Sequence, residues 1–219
     1  MSLVRIIIVG AGGFGREVLQ YAGDAIAAGR LDGKIAGFLD DGRSDPAAFG
    51  LDIPVLGDPM DHAPRPDDRF VVAVGEPADR ARLAGRLADA GGAFVSIVHP
   101  GAYVAPTARI GAGCVLCPLS FVGAFAAIAD HAVVNAHAAL GHDARLGRAA
   151  VLSPHVSCGG GALIGEEALL GSGAILLPGQ SVGARARVAP GAVVYGPVPD
   201  RAMAMGNPAR SGRIGAPGE

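Results

Sequence analysis

From Val104 to Val194 an aliphatic residue recurs at every sixth position, in one register with no insertion or deletion. The series runs Val104, Ile110, Leu116, Val122, Ile128, Val134, Leu140 and onward to Val188 and Val194, and Cys158 alone departs from the aliphatic type. The next residue is often glycine, as at 111, 123, 141, 147, 159, 165, 171 and 183, and the fifth of each hexad is usually alanine. A period of six fits neither the 3.6 of a helix nor the 2 of a free strand; it is the hexapeptide signature of a parallel β-helix. Three hexads make one triangular coil, with the aliphatic residue inside and the small residues at the corners. Residues 104–193 therefore predict five stacked coils, a rod stabilised mainly by nearest-neighbour packing. Glycine at 35 of 219 residues, no tryptophan and 5% aromatics suit tight turns around a narrow aliphatic core. Small residues such as Ala126, Ala138 and Ala150 are expected to line flat faces and invite association of rods.

The first part of the chain follows another pattern. Leu3 to Val9 reads as a buried strand, Gly10-Ala11-Gly12-Gly13-Phe14-Gly15 follows, and a helical spacing continues through Val18, Leu19, Ala22 and Ile26. Further strands are expected at Lys34–Leu39, ending in Asp40-Asp41, at Phe70–Val74 and at Phe94–Val98, with a helix over Ala78–Ala90. Alternating strands and helices predict a small Rossmann-like α/β domain over residues 1–98, followed by the β-helix domain over 99–219.

A net charge of −2 without a basic run leaves no electrostatic footprint for nucleic acid or an anionic membrane. The apolar run Val4–Val9 is too short to span a bilayer and leads into glycines, so a cytoplasmic location is expected. Cys114, Cys117 and Cys158 are an odd set and read as free thiols.

Gly10-x-Gly12-x-x-Gly15 satisfies the dinucleotide fingerprint, with Asp40 near the expected acidic position. Its physics is broader than NAD: glycines let the backbone approach a diphosphate, and the helix N-terminus favours its charge. A domain this short lacks a second mononucleotide half, which favours a nucleotide-sugar; a turn needed only for strand–helix packing is the plainer reading. Of six histidines, His62 lies in a Pro-rich loop, His99 precedes Pro100 at the domain junction, and His131 and His155 fall on repeat positions expected to be exposed. His142 follows Leu140-Gly141 and precedes Asp143, a carboxylate able to orient its ring and raise its basicity. His137 and His142 have the spacing of the zinc pair in γ-class carbonic anhydrases, but the third histidine position is Gly101, so no metal is expected. Cys114 and Cys117 lack a second pair and read as structural.

With these parts in order, the chain resembles the bacterial nucleotide-sugar acetyltransferases that modify UDP-bacillosamine, GDP-perosamine and sialic acid precursors. The resemblance rests on the glycine loop, Phe38-Leu39-Asp40-Asp41, Val72-Ala73-Val74-Gly75, His99-Pro100, Asn135, His142-Asp143 and Gly206-Asn207-Pro208-Ala209. It implies a homotrimer of left-handed β-helices with active sites between subunits, acetyl-CoA as co-substrate and a role in surface-glycan biosynthesis. His142 would be the base that deprotonates a sugar amine or hydroxyl, supported by Asp143. Gly10, Gly12, Gly13, Phe14, Gly15, Asp40, Asp41 and Gly75 would hold the nucleotide-sugar. Ser172, Gly173, Pro190, Gly191 and Pro208 would line the CoA groove. Val151 stands where some members carry a histidine, and Glu76-Pro77 where a polar residue commonly follows the glycine.

The spacing adds one residue on its own account. Gly160 lies one coil beyond His142, about 4.8 Å along the rod, where its N–H could face the thioester oxyanion and touch the coenzyme. Two other classes remain open on the residues alone: a β-helix that only binds or scaffolds, and an NAD-dependent oxidoreductase.

Overall fold

The computed structural model describes residues 3–213, a small α/β domain followed by a parallel β-helix. In the α/β domain β1 (Arg5–Val9), β2 (Lys34–Leu39), β3 (Asp68–Val72) and β4 (Ala93–Phe94) form a parallel sheet in the order β2-β1-β3-β4. Helices α1 (Gly13–Ala27) and α2 (Pro77–Asp89) cross over between strands, each opening after a residue that supplies no side-chain cap. Strand order reverses between β1 and β3, so the crevice beyond their carboxyl ends is where such sheets bind ligands.

The β-helix that follows is left-handed and has about six turns. Its three faces are parallel stacks of two-residue strands. Face 1 begins with Ile97–Val98 and Val115–Leu116 and ends with Ala202–Met205, joined by the antiparallel Arg210–Arg213. Face 2 runs from Tyr103–Val104 to Val193–Val194, and face 3 from Arg109–Ile110 to Ser181–Val182. Partners are eighteen residues apart, as in Ala127↔Arg145, and inward residues such as Leu116, Leu140 and Leu152 are buried.

Three expectations change, the third at the domain junction. The predicted strand Phe94–Val98 splits, because Phe94 pairs with β3 while Ile97 and Val98 pair with Val115 and Leu116 and begin the rod. Together with Ala202–Met205 this extends the five expected coils. Ala126, Ala138 and Ala150, expected on flat faces, are fully buried: the preceding residues, Phe125, His137 and Ala149, have φ of 59°, 58° and 56°, and that left-handed turn swings the alanine inward to fill the corner.

The α/β domain docks on face 1. Outward residues there are Val115, Val133 and Val151, and they share one buried cluster with Val18, Leu19 and Ala22 of α1. Burying each such side chain contributes roughly 1.5–3 kcal/mol relative to exposure, which makes this apolar contact the main tie between domains. His131, expected to be exposed, is buried against Phe94 with centroids 4.6 Å apart, and burial pushes its pKa down. Arg80 is wholly buried in the same junction. Its Nη1 donates to Val72 O at 2.5 Å and reaches His131 O at 3.4 Å, and burial pulls its pKa down to about 10.

Candidate active site

A cavity of about 440 Å³ opens at the strand-order reversal, lined by Gly10, Gly12, Gly13, Phe14, Asp40, Asp41 and Gly75 among others. It shares Gly10, Asp40 and Asp41 with an adjoining cavity of about 400 Å³ bounded by Asp58, Pro59 and Met60. The glycines divide the work. Gly10 has φ +102°, a conformation that favours glycine. A Cβ on Gly15 would lie 1.9 Å from Gly10 O, so Gly15 serves close packing of α1 on β1 and does not line the cavity. Gly12 and Gly13 face open space, with nearest atoms 3.8 and 4.0 Å from a built Cβ. Gly12 is the N-cap of α1, and its first turn carries no acidic residue, which leaves that end receptive to a phosphate.

Asp40 lines this cavity but works mainly as a brace. Its Oδ2 accepts from Ala11 N at 2.9 Å, and its Oδ1 accepts from Gly42 N at 3.0 Å and Ser44 N at 3.1 Å. The carboxylate thus ties the glycine loop to the loop after β2. Asp41 is partly exposed and paired with Arg43 at 3.1 Å. Arg43 and Arg82 also line the cavity and offer cations to a diphosphate. Neither was signalled in the sequence, since Arg43 sits in an irregular loop and Arg82 on a helix face whose neighbours only the fold decides.

His142 stands on the edge between faces 2 and 3. The edge column is fixed by backbone bonds, Asp143 N to Ala124 O at 2.9 Å and Gly161 N to His142 O at 2.8 Å. Its Nδ1 lies 2.8 Å from Asp143 Oδ2, so the carboxylate holds Nδ1–H and leaves Nε2 as the basic nitrogen. Asp143 reaches back because it occupies the left-handed corner conformation, with φ 59°. The ring lies over Gly160: a Cβ there would be 2.3 Å from Nε2 and 2.5 Å from Cε1. Among the described residues Gly160 N–H donates to no protein acceptor, which leaves it free beside the histidine. A cavity of about 300 Å³, lined by Arg109, Phe125, Ala127, Asp143 and Arg145, adjoins this corner.

The residues expected along the CoA groove gather on a different edge, between faces 1 and 2. Gly173 N donates to Pro154 O and Gly191 N to Ser172 O, each at 2.9 Å, so Ser172, Gly173, Pro190 and Gly191 form successive steps of one column. Cβ atoms on Gly173 and Gly191 would meet nothing within 4 Å, which leaves a smooth track able to take an extended pantetheine arm. The tail returns to that end, Val193 N donating to Gly206 O at 3.0 Å and Ala209 N to Val193 O at 2.8 Å, and brings Pro208 to the last rung of face 2. His137 and His155 share this edge and stack at 4.7 Å, so His137 is not beside His142. All three cysteines are buried, with pKa values raised by burial to about 11 for Cys114 and about 12 for Cys117 and Cys158, and none is poised as a nucleophile.

In one chain these parts do not meet. The glycine-loop cavity belongs to the domain on face 1, and the His142 edge is the edge opposite that face.

Comparison with known proteins bears on both domains. Residues 5–87 match the family model of the PglD N-terminal domain. No curated protein matches the chain. Among solved structures, the acetyltransferase domain of PglB from Neisseria gonorrhoeae is 32% identical with a TM-score of 0.84, over 94% of this chain and 98% of that one. PerB from Caulobacter crescentus, solved in complex with CoA and GDP-perosamine, is 33% identical with a TM-score of 0.84, over 97% of this chain and all of that one. WeeI from Acinetobacter baumannii is 27% identical with a TM-score of 0.83, over 95% of this chain and 99% of that one.

Proposed function

The chain belongs to the nucleotide-sugar acetyltransferases of the hexapeptide-repeat β-helix family, and from that membership we propose that it moves an acetyl group from acetyl-CoA to the amine of a nucleotide-linked sugar. The observation that carries the assignment to this chain's residues is the His142 imidazole, with Nδ1 held by Asp143 and Nε2 directed over Gly160.

In this reading Nε2 accepts a proton from the attacking amine as its nitrogen bonds to the thioester carbonyl carbon. Gly160 N–H donates to the oxyanion of the tetrahedral intermediate. Collapse breaks the carbon–sulfur bond, and the imidazolium returns its proton to the departing thiolate. The Gly12–Phe14 amides and Arg43 and Arg82 hold the diphosphate, while the Gly173–Gly191 track takes the coenzyme.

The working unit is a homotrimer in which His142 of one subunit serves the nucleotide cavity of another. Support comes from the placement of the two half-sites on opposite sides of one rod. Exposed apolar groups add to it: Tyr103 and Phe121 stack on face 2 at 5.1 Å, and Phe125 stands on the His142 edge at 67% exposure. No described helix is long and apolar enough to cross a membrane. We assign the enzyme to the cytoplasm and to surface-glycan biosynthesis, where nucleotide-sugars and acetyl-CoA meet.

The test is a calorimetric binding screen of UDP-, GDP-, dTDP- and CMP-linked amino sugars, followed by acetyl-CoA turnover on those that bind. Acetylated sugar and free CoA in equal amounts are expected for at least one. Binding without turnover by any of them would overturn the transferase reading for this chain.

A further inference from the structure

Between β3 and α2 the chain is tied to the β-helix at two points that the proposed chemistry does not use. At the first, Arg80 Nη1 holds Val72 O and reaches His131 O on the edge between faces 3 and 1. At the second, four residues beyond Val72, the Glu76 carboxylate pairs with Arg187. Ala73, Val74 and Gly75 lie between these ties, and they form one wall of the nucleotide cavity.

Arg187 breaks a pattern. Outward residues up face 1 are Ile97, Val115, Val133, Val151 and Leu169, and then Arg187. The aliphatic positions take the apolar contact with the α/β domain. The change to a cation comes at the rung that Glu76 reaches, 111 residues away in sequence. Apolar contact is non-directional and lets one surface slide on another, whereas an ion pair and a bond to a carbonyl fix register.

We propose that the Glu76–Arg187 pair, with Arg80 behind it, is a positioning clamp that sets the nucleotide-sugar cavity against the β-helix. The inference rests on the shared-site reading above. If a sugar held by one subunit's α/β domain must reach the base on another subunit's rod, any looseness between domain and rod passes directly into the distance between amine and Nε2. Misplacement on the order of 1 Å can cost 10²-fold in rate. The pair is partly exposed, so its removal should disturb stability little.

The experiment compares Glu76→Gln, Arg187→Gln and the exchange Glu76→Arg with Arg187→Glu. Each single variant is expected to lower kcat about 10-fold or more, with the calorimetric Kd of the nucleotide-sugar and the KM of acetyl-CoA within about twofold of the parent. The exchanged pair is expected to recover most of kcat. Hydrogen exchange gives a readout independent of turnover: the Ala73 and Arg80 amides, bonded to Val9 O and Glu76 O at the two ends of the clamped segment, should exchange roughly two- to fivefold faster in the single variants. Unchanged kcat and unchanged exchange would overturn the clamp. A weakened nucleotide-sugar Kd with intact kcat would do so as well, by making Glu76 a ligand contact. Absence of transfer by the parent protein counts against the transferase reading, and the exchange data then judge the clamp by itself.

Discussion

Gly160→Ala tests the catalytic corner more sharply than removal of the histidine, because it adds one methyl group and deletes nothing. The new Cβ would lie 2.3 Å from Nε2 of His142, against an ordinary contact beginning at 3.4 Å, so the ring must retreat by about 1.1 Å. The histidine side chain is 70% exposed and can swing outward, and Gly160 does not hold a left-handed φ. The fold should therefore tolerate the change, with Tm nearly unaltered. A swing of that size breaks the 2.8 Å bond to Asp143 and carries Nε2 from its working position. From the cost of such misplacement kcat should fall about 10²-fold, within the range for loss of a general base. The Gly160 N–H is kept, so the loss would report the imidazole and not the oxyanion donor. The assay is thiol release from acetyl-CoA, alongside calorimetric Kd values for both ligands. A variant retaining more than half of the parent kcat would refute the stacking argument, and weakened binding of either ligand would show that the methyl group blocks a substrate instead.

His142→Ala should cost roughly 10²- to 10⁴-fold in kcat while leaving ligand binding largely intact, and Asp143→Asn should be milder because the imidazole remains; steady-state kinetics decide both. Gly12→Val should raise KM for the nucleotide-sugar with little change for acetyl-CoA, since its side chain would enter the open cavity; equal damage to both constants would mean that the loop supports the whole fold. Gly15→Ala, whose Cβ would collide with Gly10 O, should instead lower Tm by several degrees or prevent folding, as thermal melts would show. When His142→Ala and Gly12→Val proteins are dissociated and reassembled together, mixed trimers should turn over faster, at a nucleotide-sugar concentration far below the raised KM of Gly12→Val, than either protein alone. Sedimentation as a monomer, or proven mixing without recovery, would contradict the shared site.

Much of this was legible before the fold was known. Period six predicted the rod because each coil repeats one physical requirement, an aliphatic residue inside and a small one at the corner. The glycine loop was legible because few other residues could take its backbone path. What the sequence concealed depends on contacts between distant segments. Val133 and Val151 look like ordinary β-residues, and only the docking of α1 explains why they point outward and yet are buried. His131 shares a repeat position with exposed residues and is covered because Phe94 lies on it. Asp40 matched a motif that expects a ligand contact, while three backbone amides take up much of its accepting capacity. The distance of the cavity from His142 was hidden for the same reason: which face a domain covers is not written in the period of the repeat.

The unbroken register also sets how this chain can change length. Coil neighbours are eighteen residues apart, so removing one whole coil would return every later residue to its own face and lower it by one rung. A loss of six residues would keep the aliphatic core intact yet turn the rest of the rod by one face, moving the Gly173–Gly191 column to another edge. A loss of twelve would do the same by two faces, and losses that are not multiples of six would break the register of the aliphatic core. Indels between Val104 and Val194 are thus quantised, and only whole coils leave the His142 edge, the docking face and the Gly173–Gly191 column in their present angular relation.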